Sequence, residues 1–104
     1  MGKATGIIEV YGLAAAFVAV DAGCKAADVT VETLDKNKPG NADALPVPLI
    51  VLIKFRGTVD NVKAAVEAAA TEANGVSGVV SQHIIANTEE STEKMLKLNA
   101  FDKN

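Results

Sequence analysis

The chain has 104 residues, a length suited to one domain with a modest core. Its 49% hydrophobic content excludes a disordered chain, and the surplus is mainly alanine and valine. A net charge of −3, with no Lys/Arg stripe interleaved with aromatics, argues against a nucleic-acid partner.

The first strand is predicted over roughly 5–11, where Gly6-Ile7-Ile8-Glu9-Val10-Tyr11-Gly12 is apolar and ends at a glycine. It runs into an Ala-rich helix over roughly 13–26. Asp28-Val29-Thr30-Val31-Glu32-Thr33-Leu34 alternates in character and reads as a second strand. From Asp35 to Ala44 the chain turns polar, and Pro39-Gly40 with its Asn and Asp neighbours marks a loop. Leu45-Pro46-Val47-Pro48 stiffens the approach to a third strand, Leu49 to Phe55. Its prolines cannot donate to a ladder, so this piece is expected outside the central pairing. Thr58 or Asp60 can cap a second helix reaching about Ala73, with Asn74-Gly75 as its left-handed stop. Val76 to Ile85 reads as a fourth strand and Ser91 to Leu98 as a short amphipathic helix.

The strand–glycine–helix move occurs twice, and Gly57 stands 45 residues after Gly12. That doubling points to an α+β domain of the split-βαβ, ferredoxin-like kind. The expected fold is one antiparallel four-stranded sheet with two main helices on one face. A single domain spans 1–104, with its core at about 5–86 and a C-terminal tail helix at about 89–98. The loop between the second and third strands is long for a hairpin, and long ordered loops commonly carry function.

Reaction chemistry is sparse. His83 is the only histidine and adjoins Ile84 and Ile85, so a structural or interfacial role is favoured over a catalytic one. Cys24, among Ala22, Gly23, Ala26 and Ala27, reads as a buried, inert thiol. One Cys and one His in a chain build neither a zinc nor an iron–sulfur site, so no metal and no cofactor are expected. Glu67, Glu72 and the cluster Glu89, Glu90 and Glu93 read as solvated surface. Glu9 and Lys54 interrupt apolar strands, and alternation leaves open whether they face solvent, a partner or each other. An enzyme is not expected.

No apolar run reaches the roughly 18 residues that span a bilayer, and the N-terminus leads into a strand without a signal-peptide hydrophobic region. One cysteine forms no internal disulfide, which fits a reducing cytosol. The expectation is a soluble cytoplasmic domain with no membrane partner.

Four segments together resemble bacterial microcompartment (BMC) shell proteins. They are Gly6-Ile7-Ile8-Glu9-Val10-Tyr11-Gly12-Leu13, the run from Ala19 to Val29, the run from Phe55 to Ala65, and Val79-Val80-Ser81-Gln82-His83-Ile84-Ile85. The resemblance covers about residues 5–98. It implies a ferredoxin-like variant assembling as a cyclic homo-hexamer that tiles with other shell proteins around encapsulated enzymes. In that family the loop between the second and third strands meets its symmetry mates at a central pore. Here the resemblance assigns Lys38, Pro39, Gly40, Asn41, Leu45, Pro46, Val47 and Pro48 to the pore loop. Repeated around the ring, Asp35, Lys36, Lys38 and Asp43 would set the field at its mouth.

Lys25 matches the edge lysine of hexamer-to-hexamer contacts, and Asn87 falls at the second edge position. Two departures stand out. The short Gly/Ser pore loop of the family is replaced by a long, proline-stiffened one. Ala86-Asn87 also replace a frequent Pro-Arg, which opens the way to bent or screw-like assembly rather than flat tiling. The extended loop resembles divergent shell proteins of glycyl-radical-enzyme compartments. No cysteine lies between Asp35 and Pro48, so the axial iron–sulfur cluster of some paralogues is not expected. The alternative function is a ligand-binding regulatory domain of ferredoxin-like fold, with 35–48 as its lid.

Overall fold

A computed structural model describes residues 3–45 and 47–98. These form β1 (Ala4–Tyr11), α1 (Leu13–Ala26), β2 (Thr30–Asn37), a 3-10 turn (Ala42–Ala44), β3 (Ile50–Gly57), α2 (Val59–Val76), β4 (Val79–Ile85) and α3 (Glu90–Leu96). The strands make one antiparallel sheet in the order β2-β3-β1-β4. This is the α+β arrangement expected from the sequence.

Period-two alternation divides the sheet into two faces. Ile8 and Val10 of β1, with Val51, Ile53 and Phe55 of β3, are fully buried in the core beneath α1 and α2. Burying each such side chain stabilises the fold by about 1.5–3 kcal/mol. The helices meet them mainly with small residues: Ala15, Ala16, Ala19 and Gly23 from α1, and Ala65, Ala69 and Ala73 among the buried residues of α2. Close approach is the reason. A Cβ on Gly23 would lie 2.5 Å from the Phe55 ring, and one on Gly6 would lie 2.5 Å from Val62.

Several boundaries differ from the sequence reading. β2 begins two residues late and runs on through Asn37, because a register shift between Val31 and Leu34 breaks the alternation that defined it. Asp35 and Lys36 are therefore strand residues, and the connecting loop starts at Lys38. Helix α2 continues through Gly75 to Val76. Its left-handed residue is Gly78, with φ of 128°, three positions beyond the predicted stop. The amides of Ser77 and Gly78 both donate to the Ala73 carbonyl, while the Asn74 side chain accepts from the Val79 amide. β4 begins at Val79 rather than Val76, and α3 is shorter than expected. Among the described residues, no helix is long and apolar enough to cross a membrane.

Candidate functional site

The predicted pore loop and the predicted edge residues lie at opposite ends of the sheet. β1 runs away from Ala4 and β3 returns to Gly57, so Tyr11 pairs with Ile50 at one end and Ala4 with Gly57 at the other. The loop after β2 returns to β3 at the Tyr11–Ile50 end. Lys25, in the last turn of α1, and Asn87, just beyond β4, fall at the other. The molecule measures 42 × 29 × 19 Å.

The loop is internally bonded. The amides of Ala42, Ala44 and Leu45 donate to the carbonyls of Pro39, Asn41 and Ala42 at 3.0, 2.9 and 3.1 Å. Ala42 is buried, whereas Lys38, Gly40, Asn41, Asp43 and Pro48 are exposed. Pro39, Leu45 and Val47 are half-buried. Pro46, also assigned to the pore loop, lies outside the described residues. Gly12 anchors the loop's return. Its amide donates to the Leu49 carbonyl at 2.8 Å, its φ is 86°, and a Cβ there would meet Val47 at 3.1 Å. That glycine thus serves both the start of α1 and the seating of the loop.

At the far end Lys25 is exposed, and its ammonium lies 2.8 Å from the Asp21 carboxylate one turn earlier. The hydrogen bond that the ammonium donates to Asp21, together with the charge of that carboxylate, raises the Lys25 pKa above the ordinary value. Lys25 also lines a shallow groove of about 650 Å³ between α1 and α2. Asn87 is exposed beside Ala86, which lines a cleft of about 520 Å³ with Lys3, Asp28, Gly57, Thr58 and Asn61. Cys24 is exposed, correcting the expectation of a buried thiol.

The sheet face turned away from α1 and α2 carries what the sequence could not resolve. Lys54 and Arg56 are both buried, at 4% exposure each. Lys54 donates to Thr33 Oγ1 at 2.9 Å and to the carbonyls of Leu96 and Leu98 at 3.3 and 2.8 Å. Burial lowers its pKa, opposed by the charges of Asp35 and Glu32. Arg56 makes a two-pronged contact with Glu93, at 2.7 and 2.5 Å, and lies 3.6 Å from Glu32. Glu93 is therefore an ion-pair partner rather than plain solvated surface, and its pKa falls below the usual carboxylate value through the Arg56 hydrogen bond. Glu89 caps α3, accepting from the amides of Ser91 and Thr92. Glu9 shares this face but accepts from Ser81 Oγ at 2.5 Å. His83 is exposed opposite Ile7, in a hollow of about 300 Å³ with Glu9, Leu52 and Ser81. Among the described residues, no group of three or more His, Cys, Asp or Glu is placed to hold a metal.

Comparison with known proteins shows the family. The family described as the BMC domain matches residues 4–88. The bacterial microcompartment shell protein PduA of Citrobacter freundii is 35% identical over 94 residues, covering 90% of this chain and 91% of that protein. The carboxysome shell protein CcmK2 of Synechococcus elongatus is 37% identical over 100 residues, covering 94% and 89%. Among solved structures, a microcompartment protein from Desulfitobacterium hafniense superposes with a TM-score of 0.71 at 24% identity, a likeness of fold. The match takes in 93% of this chain but only about half of that protein, 48%. With the domain match running from β1 to Thr88 and the relatives matched nearly end to end, the chain belongs to the BMC-domain family.

Proposed function

We propose that the chain is a structural, non-catalytic subunit of a bacterial microcompartment shell. Six copies close into a ring, with the 38–48 loop around the axis and Lys25 and Asn87 at the outer edge. The observation that carries this reading is the two-ended layout, in which the loop and the edge residues occupy opposite ends of one sheet. Head-to-tail closure of identical wedges requires such a division between an inner and an outer end. The relatives PduA and CcmK2 are shell proteins by name, which supports the same role here.

The ring's opening passes small polar metabolites by size and dipole. Lys38 and Asp43, both exposed, set the charge at its mouth. Its partners are further copies, other shell proteins and the enzymes enclosed. Native mass in solution tests the assembly. A mass near six times that of the 10.7 kDa chain is expected. A strict monomer at high concentration would overturn the ring, and saturable metabolite binding by a non-assembling form would favour the regulatory-domain alternative.

A further inference from the structure

α3 is attached in an unusual way for an element outside the core. Of its seven residues only Leu96 is buried, while Met95 is 65% exposed. Apolar contact is thus a small part of what seats it. The remainder is charge and hydrogen bonding from β3 and its neighbour β2. Arg56 grips Glu93 in the middle of the helix, and Lys54 reaches the carbonyls of Leu96 and Leu98 where the helix ends. A cation at a helix C-terminus satisfies orphan carbonyls and meets the negative end of the dipole. Thr33 Oγ1 donates to the same two carbonyls, at 2.8 and 3.2 Å.

The chain leading into α3 is fixed independently. Thr88 is buried, its hydroxyl lies 2.6 Å from that of Thr5, and its amide donates to the Lys3 carbonyl at 3.1 Å. Glu89 follows as an extended cap with φ of −72° and ψ of 150°. The anchor therefore stops at Thr88, one residue short of the cap.

We infer that α3 is a strap pivoting at Thr88–Glu89, latched over the open face of the sheet by Arg56 and Lys54, and that it lifts when Glu93 loses its charge. A helix of seven residues does not persist unsupported in water, so the released strap unwinds. Lifting uncovers a guanidinium and an ammonium that are otherwise enclosed. The device does not depend on the assembly reading, because every contact in it is within one chain.

The sign of its pH response follows from the groups around Glu93. Arg56 from β3, Lys3 before β1 and Lys97 beyond the helix all favour the carboxylate, whereas desolvation opposes it. Glu32 of β2 lies on the other side of Arg56 and competes for it. A carboxylate with a depressed folded pKa contributes above its unfolded value and loses that contribution as pH falls through the folded one. Release is thus an acid event, setting in as pH falls into the ordinary glutamate range and complete only below the depressed folded value.

Hydrogen exchange of the intact protein, followed by mass spectrometry and corrected for intrinsic rates, tests this. In Glu93→Gln, amides of residues 93–97 are expected to exchange at least about tenfold faster than in the parent, with β1 and α2 unchanged. Glu93→Asp should fall between, and the parent should reproduce the Gln variant's pattern on acidification. Unchanged exchange in α3 would overturn the latch. Equal acceleration across β1, α2 and α3 would overturn the strap, since α3 would then belong to the cooperative core.

Discussion

Substituting Gly23 by alanine would place a methyl group 2.5 Å from the buried Phe55 ring and 3.1 Å from the Ala65 carbonyl. The ring is fully enclosed and cannot swing aside, so Gly23→Ala is expected to destabilise the fold by about 1–3 kcal/mol, read as a lower urea midpoint. An unshifted midpoint would mean that α1 can move away from the sheet at little cost. The neighbouring Cys24 shows why such detail was illegible in the sequence. Alanines occupy both sides of this helix, Ala14 exposed and Ala15 buried, so composition offers no contrast from which to read a face. Lys54 and Glu9 were identifiable as anomalies because each interrupts an apolar strand. Their partners were not, because Thr33, Leu96 and Leu98 lie 21 to 44 residues from Lys54, and Ser81 lies 72 from Glu9.

Among the elements, α2 depends on a cap that the sequence did signal. Thr58 Oγ1 accepts from the Asn61 amide at 3.2 Å, and Asp60 lies in the first turn. Thr58→Ala is expected to cost about 1 kcal/mol in chemical unfolding, with the secondary structure intact by circular dichroism. The element order and both strand–glycine–helix units were legible because hydrophobic periodicity and glycine punctuation are local signals. The bulge in β2 was not, since two residues, Glu32 and Thr33, occupy the space opposite Lys54, and that depends on β3. The end of α2 was misplaced for a related reason. Asn74 serves the terminus through its side chain, leaving the left-handed backbone position to Gly78, where Tyr11 packs.

For the whole molecule, the exposed apolar side chains are informative. Phe17 is 63% exposed, with Leu13 at 40% and Val18 at 41% on the same helix, and Val76 and Val80 are exposed where α2 gives way to β4. Covering such residues in a subunit contact is the ordinary remedy. Phe17→Asp is expected to lower the native mass while leaving the unfolding free energy of the isolated subunit within about 0.5 kcal/mol of the parent, because an exposed residue contributes little to the isolated fold. A full-mass ring from this variant would remove α1 from the contact. The pore and edge assignments were reachable only through family resemblance, since no local pattern tells Lys25 or Asn87 apart from other exposed polar residues.

Gly12 joins the start of α1 to the return of the long loop, and beyond that junction the amides of Ala42, Ala44 and Leu45 bond to carbonyls within the loop itself. The far end, with its Lys25–Asp21 pair and the cleft beside Ala86, is built from other residues. Length and sequence between Lys38 and Ala44 can therefore drift without disturbing the opposite margin. On the shell reading proposed above, a lineage or an engineer could retune the inner opening of such a block without touching the margin that would join it to the next.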